Sequence, residues 1–431
     1  MEFSNFYAYY DNLAALIDQQ TWEAAEQASV LLCCRDKHAD LKFLQLFSND
    51  IERNAEGFST RGSRLSTRRD RYDDRAVVRW AVFDDIVLSH LNVLHALSAS
   101  DWPAAFGHQT NALQLFNREI CIREKDANWF MPILYVLCSD LRLIARIADK
   151  RGCVLWGGHH QRKSADAQTA TFYEESAASI MESYRICVAE RSDATTKKVA
   201  ILSLTNQLFR IYFGINRLHL LKPLIRSIDH VGELYDRFSL ADKITYKYFL
   251  GRKAMFDMDL SRAEEALTFA FEHCPAHFMH NKRLILMYLV PVKMFLGHMP
   301  TQQLLVRYNL GQFADVAASV KDGNLRDLNL ALQKHQHFFI KCGIFLMLEK
   351  LKVITYRNLF KRVASILNTH LIKLDAFLAV LRFLGTDIDA DELSCILANL
   401  IAQKKIKGYI SHQRQTLVIS KQTPFPSLSA A

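Results

Sequence analysis

The chain has 431 residues, of which 50% are apolar and 23% are charged, and this balance excludes an intrinsically disordered protein. Only 15 Gly and 8 Pro occur, too few turn residues for a β-sandwich or β-barrel of this length, so a mainly helical fold is predicted. Lys and Arg number 54 against 45 Asp and Glu, and the net charge of +9 permits an anionic partner without requiring one.

Residues 1–210 predict N-terminal helical repeats, because apolar residues recur there at the i, i+3, i+4 spacing of amphipathic helices. Two segments rich in Gly, Ser and Thr interrupt the pattern, at 57–75 and 152–170, and we expect both to be exposed loops. The first carries six arginines and three aspartates. A solvated loop and a phosphate-contacting loop are both open interpretations of it, and its role is not assigned by the sequence.

Residues 211–350 predict further helical repeats, and one unit there matches the spacing of a tetratricopeptide repeat. Its small residues would allow two antiparallel helices to approach closely, and a proline would close the second helix. The matching positions are Leu250, Gly251, Ala263, Leu267, Ala270 and Pro275. Weaker copies begin at Trp22, Trp102 and Leu325. This recurrence predicts a solenoid of stacked helical hairpins.

The pattern changes to that of a winged helix over residues 351–423. A helix at 356–367 precedes a short strand near Ile372, a helix capped by Asp375 and a third helix that begins at Asp389 or Asp391. Two β-rich runs around a polar four-residue turn then predict a hairpin. The segment 424–431 contains two prolines and is predicted to be a flexible tail.

Motifs of catalysis are missing from the sequence: no G-x-S-x-G, H-E-x-x-H, Walker A loop or G-x-G-x-x-G occurs. The His and Cys residues of 273–280 suggest a zinc site only weakly, since Pro275 would separate their side chains, and a polar repeat junction is the favoured interpretation. We therefore predict a protein that is not an enzyme and that uses no metal or cofactor.

The nine cysteines form no C-x-x-C pair and mostly lie in apolar stretches, which is typical of a reducing compartment such as the cytosol or nucleus. The N-terminal residues do not resemble a secretory signal. The longest apolar run, 284–292, is too short to cross a bilayer. No membrane insertion is therefore expected.

Positive charge is concentrated near the end of the chain. Residues 321–431 contain 16 Lys and Arg against 8 Asp and Glu, an excess that nearly equals the net charge of the whole chain. In a winged helix, basic residues of the first helix, the third helix and the wing would contact phosphates. The candidates are Lys361, Arg362, Lys404, Lys405, Lys407 and Arg414. The alternative, that these residues favour the helix dipole and solubility, stays open.

Helical repeats that lead into a winged helix resemble a PCI domain, and three long stretches narrow this resemblance. Residues 281–305, 337–363 and 395–426 are similar to the PCI-domain-containing protein two family, the Thp-type subunits of the transcription-and-export complex two. The similarity is dense from about 210 to 426 and looser before it.

The resemblance implies a role in assembly. Members of the family pair with a Sac-type scaffold (germinal-centre-associated nuclear protein) and a small acidic Sem/Dss-type protein. They lie at the nuclear basket of the nuclear pore, where they couple transcription to messenger RNA export, and a cytoplasmic pool is left open. Their paired winged helices form a basic surface for single-stranded RNA or DNA with little sequence specificity. The rival hypothesis is a purely protein-binding PCI subunit of a signalosome-like or proteasome-lid-like assembly.

Overall fold

The computed structural model describes residues 6–35, 74–124, 128–155, 171–190 and 196–428. It confirms the predicted fold class, helical repeats followed by a winged helix. Two compact units divide the chain, Met1–Asp242 and Lys243–Ala431. Of the two predicted loops, 57–73 and 156–170 lie outside the described residues, whereas residues 74–75 and 152–155 belong to helices and not to loops.

The first unit is built from helices that begin at polar caps. The side chains of Thr21, Asp101 and Thr171 each accept a hydrogen bond from the backbone N–H three residues later. A π-helical turn, Phe116–Cys121, continues the fourth helix. The described helices are α1 (Phe6–Asp18), α2 (Trp22–Leu31), α3 (Asp74–Ser98), α4 (Trp102–Leu115), α5 (Met131–Leu155), α6 (Phe172–Ala189), α7 (Ile201–Gly214), α8 (Leu221–Asp229) and α9 (Leu234–Arg237).

The second unit begins with a stack of short helices. α10 starts just before the boundary, and Asp259 caps the following helix by accepting from the N–H of Arg262. The helices are α10 (Leu240–Phe256), α11 (Leu260–His273), α12 (Met279–Phe295), α13 (Gln302–Arg307), α14 (Ala314–Asp322), α15 (Leu325–Lys334), α16 (Gln336–Cys342) and α17 (Phe345–Lys350).

The predicted tetratricopeptide-like unit is confirmed as the hairpin of α10 and α11. Ala263, Leu267 and Ala270 are fully buried. A Cβ added to Gly251 would lie 2.5 Å from Leu267 Cγ, so the two helices are in closer contact there than an alanine allows. α11 ends at His273, shortly before Pro275, as expected.

We expect Gly251→Ala to destabilise the second unit by about 1–2 kcal/mol. The added methyl overpacks the contact with Leu267 by about 1–3 kcal/mol, and the better helix propensity of alanine offsets part of this loss. The thermal midpoint followed by far-UV circular dichroism measures the effect. Gly311→Ala is the control, because its added Cβ would meet no atom within 4 Å. Equal midpoints for the two variants would contradict the close contact.

Gly323 lies where the repeats pack against the winged helix of the same unit. It follows α14 in the left-handed conformation, with φ of 72°, and Asn324 then caps α15. A Cβ at Gly323 would lie 2.5 Å from the backbone nitrogen of Leu359. The side chain of Asn358 also donates to the carbonyl of Val320, at 2.7 Å. The end of α14 is therefore seated directly on the helix that carries Asn358 and Leu359.

The predicted winged helix is confirmed. It consists of α18 (Lys352–Leu367), β1 (Leu371–Lys373), α19 (Leu374–Phe383), α20 (Ala390–Ala402), β2 (Gly408–Ser411) and β3 (Thr416–Ile419). The antiparallel sheet has the order β1-β3-β2, and Leu417 stands opposite both Ile372 and Ile410. Its separate core includes the ring pair of Phe360 and Phe377, with centroids 4.8 Å apart.

One cap differs from the prediction. Asp375 does not cap α19, because the helix already begins at Leu374 and Asp375 lies in its first turn, where a negative charge favours the helix dipole. Asp389 does cap α20, and its carboxylate accepts from the N–H of Glu392 at 2.7 Å.

The C-terminal strap, which we define as Pro424–Leu428, differs from the predicted flexible tail of 424–431. The carbonyl of Pro424 accepts from the N–H of Lys407 at 2.8 Å. Arg357 Nη2 donates to the carbonyls of Phe425 and Pro426, at 3.2 and 2.6 Å. Leu428 packs against the apolar core of the repeats. These contacts hold the strap in place, and residues 429–431 lie outside the described chain.

Candidate nucleic-acid interface

Three of the predicted basic residues lie together where α20 ends. Lys404 takes the left-handed conformation, with φ of 56°, and turns the chain toward β2. Lys407 is fixed at the base of the hairpin, because its N–H donates to Pro424 and its carbonyl accepts from the N–H of Ser420. The side chains of Lys404 and Lys407 are exposed, whereas Lys405 is half-buried.

Lys405 has a different electrostatic environment from its two neighbours. Partial burial lowers its pKa, and the nearby charge of Arg357 lowers it further. Two cations are thus close to one another at the junction of α18 and the end of α20. An anion bound there would relieve this repulsion.

Arg414 is exposed in the turn between β2 and β3, at the opposite end of the hairpin from Lys407. The extended strand between them separates the two residues by roughly 20 Å. The structure therefore brings Lys404, Lys405 and Lys407 together and leaves Arg414 apart from them. A nucleic acid would have to follow the hairpin to contact all four side chains.

Lys361 and Arg362 lie on α18, both exposed. Arg362 Nη2 is 2.6 Å from Asp322 Oδ1, so part of its charge is already compensated. An exposed pair of this kind contributes only about 0–1 kcal/mol, and Arg362 can exchange Asp322 for a phosphate at small cost.

Sequence reasoning missed two cations that lie near these residues, Arg357 and Lys321. Arg357 is four residues before Lys361, on the same face of α18, and this spacing was a usable signal. It is only 6% exposed, and burial lowers its pKa. Lys321 is on α14, and no local pattern links it to α18.

Large apolar side chains are also exposed in the winged helix. At the junction of α18 and β1, Ile366, Leu367 and Leu371 are 81%, 45% and 52% exposed. Phe383 at the end of α19 is 84% exposed. An exposed group of large apolar residues within a short segment is typical of a protein-binding surface.

Other chemistry has little support in the described parts of the chain. No group of three or more His, Cys, Asp or Glu side chains there could hold a metal ion. Cys34 Sγ lies 3.9 Å from His90 Nδ1, but burial raises the pKa of Cys34 well above its usual value, so the group is a neutral thiol rather than a nucleophile. None of the described helices is both long and apolar enough to span a bilayer.

Known proteins are similar to this chain both in the PCI domain and over most of its length. The PCI domain profile matches residues 332–421. PCI domain-containing protein 2 homolog of Caenorhabditis elegans is 51% identical, over 98% of this chain and 97% of its own. PCI domain-containing protein 2 of Danio rerio is 49% identical, over 81% and 85% of the two chains. Protein CSN12 homolog of Schizosaccharomyces pombe is 30% identical, over 79% and 82%.

These matches agree with the architecture, in which helical repeats lead into a winged helix with a three-stranded sheet. They extend well beyond the PCI domain and include most of the first unit. PCI proteins are generally scaffold subunits of protein complexes. The chain belongs to the PCI domain-containing protein 2 family.

Proposed function

We propose that the protein is a non-enzymatic scaffold subunit of a messenger RNA export complex at the nuclear pore, and that its winged helix holds single-stranded RNA or DNA. The observation that carries the nucleic-acid part is the cluster of Lys404, Lys405 and Lys407 at the base of the wing. Exposed lysines beside a strand hairpin bind phosphates without reading bases, so little sequence specificity is expected.

The proposed protein partners are a Sac-type scaffold and a small acidic Sem/Dss-type protein. The resemblance of the sequence to the family of Thp-type subunits suggests both. The exposed apolar residues at the junction of α18 and β1 offer a surface for a folded partner, and the net charge of +9 favours an acidic one. Localisation in the nucleus, at the nuclear pore, belongs to the same proposal.

Affinity purification of the tagged full chain from nuclear extract tests the partners. We expect a Sac-type scaffold and a Sem/Dss-type protein in amounts equal to that of the bait. Recovery of signalosome or proteasome-lid subunits instead would overturn the export assignment and support the rival function.

The salt dependence of binding to single-stranded RNA tests the nucleic-acid part. A protein that neutralises Z phosphates of a single strand loses affinity with a slope of about −0.7 Z in a plot of log K against log salt. Three to five contacts predict a slope between about −2 and −3.5. A flat plot would show that the lysines do not bind the backbone.

A purely protein-binding PCI subunit is the second candidate. Two observations favour it: Lys405 is half-buried, and Arg362 already pairs with Asp322. Both reduce the positive charge that is free to bind phosphates. This candidate predicts the flat salt plot, and the first candidate excludes it.

A further inference from the structure

A cleft in the second unit lies apart from the tip of the wing and combines positive charge with an apolar wall. Its volume is about 590 Å³, within the usual range of roughly 300–1,000 Å³ for small-molecule sites. It is formed by the end of α12, the end of α14, one face of α18 and the C-terminal strap. The residues that matter here are Lys321, Arg357, Lys361, Arg362, Phe425 and Leu428.

Four cationic side chains line the cleft, and among its lining residues in the described chain there is no Asp or Glu. Arg362 pairs with Asp322, which does not itself line the cleft. Lys321, Arg357 and Lys361 therefore bring three positive charges to one concave surface. Arg357 and Lys361 project from the same face of α18, and Lys321 comes from α14.

Arg357 is the most informative of these residues because it is buried. Its Nη1 donates to Asn358 Oδ1 at 2.9 Å, and its Nη2 donates to the carbonyls of Phe425 and Pro426. These three acceptors are neutral, so the hydrogen bonds do not cancel its charge. Burying a cation without an anionic partner costs free energy. A bound anion within the cleft would recover part of that cost.

Part of the cleft lining is apolar. It consists of Leu296, Met299, Phe425 and Leu428, and the guanidinium carbon of Arg357 lies 5.8 Å from the centre of the Phe425 ring. A site that places cations against an apolar and aromatic wall suits a ligand with one charged and one flat apolar end. Inorganic phosphate would use only half of such a site, whereas a nucleotide would use both halves.

We propose that this cleft binds a nucleotide, with its phosphate between Lys321, Arg357 and Lys361 and its base against the wall that contains Phe425. Two sources share this chemistry: a free nucleotide and an unpaired nucleotide of a single strand. The second source rests on the function proposed above, and the first is independent of it.

Calorimetric titration of the full chain at low salt tests the proposal with adenosine monophosphate, adenosine and a short oligouridylate. The variant Lys321→Ala/Lys361→Ala removes two exposed cations of the cleft. Lys341→Ala/Lys350→Ala removes two exposed cations that lie outside both the cleft and the wing, and it is the matched control. Circular dichroism checks that both variants keep the thermal midpoint of the parent.

Adenosine monophosphate is expected to bind at least about tenfold more tightly than adenosine, and the cleft variant is expected to lose at least about tenfold in that affinity while the control keeps it. If only the oligouridylate binds, and the cleft variant alone loses at least about tenfold in affinity for it, then the ligand of the cleft is an unpaired nucleotide of a single strand. The proposal is overturned if neither adenosine monophosphate nor oligouridylate binds, or if the cleft variant binds both of them as tightly as the parent does. Oligouridylate binding that falls in a wing variant, Lys404→Ala/Lys407→Ala, but not in the cleft variant would overturn the cleft and leave the function of the wing intact.

Discussion

Gly323→Ala is expected to lower the thermal midpoint of the second unit by about 6–12 °C. The left-handed φ of 72° costs an alanine about 1–2 kcal/mol. The added Cβ would also lie 2.5 Å from the backbone nitrogen of Leu359 and 2.8 Å from its Cα, so α18 must move as a whole. We expect a total loss of about 3 kcal/mol, and each kcal/mol shifts the midpoint of a unit of this size by about 2–4 °C.

Gly385→Ala is the matched control, since Gly385 has a similar φ of 76° and an added Cβ there would meet no atom within 4 Å. It should lose only about 2–8 °C, because the left-handed backbone alone costs about 1–2 kcal/mol. Far-UV circular dichroism follows both variants. All five tryptophans precede residue 157, so tryptophan fluorescence reports the first unit separately. Equal shifts for the two variants would show that the contact between Gly323 and Leu359 has no energetic consequence.

The triple variant Lys404→Glu/Lys405→Glu/Lys407→Glu is expected to weaken binding to single-stranded RNA at least about 100-fold at low salt. Losing three phosphate contacts should also make the salt slope about 2 units less negative, because each contact contributes about 0.7. Replacement by glutamate adds repulsion to the loss of attraction. Fluorescence anisotropy with labelled RNA over a salt series measures both quantities.

The control for this variant changes the net charge equally at distant sites. Lys222, Lys341 and Lys350 are exposed and lie outside the wing and the cleft, so their replacement by glutamate tests the effect of overall charge. It should reduce the affinity only slightly and leave the slope unchanged. Unaltered binding by the wing variant, measured in the assembled complex, would remove these lysines from the interface.

Local signals in the sequence were sufficient to predict the elements of the winged helix. Asp389 caps α20 as expected, and Gly385, with φ of 76°, follows the end of α19. The β-branched and aromatic residues on either side of a polar four-residue turn predicted the hairpin that β2 and β3 form. In each case the decisive residues are close together in sequence, within one helical turn or one hairpin. The pattern can therefore be recognised from the sequence alone.

The arrangement of the candidate site could not be predicted in the same way. Arg362 pairs with a residue 40 positions earlier, and Arg357 binds carbonyls 68 and 69 positions later. Adjacency in sequence did place Lys404 beside Lys407, but it gave no sign that Lys405 would be half-buried near Arg357. Contacts between distant segments depend on how whole helices pack, and a single sequence carries no local pattern for them.

The position of β3 has a consequence for synthesis of the protein. β3 lies between β1 and β2 in the sheet, yet it is the last of the three strands to leave the ribosome. Until it emerges, β1 and β2 have no partner in the sheet, and their open edges can pair with other chains. The repeats of the second unit can fold earlier, since their helices contact neighbours close in sequence. A chain that stops between Ser411 and Thr416 would therefore lose the entire sheet rather than a single strand.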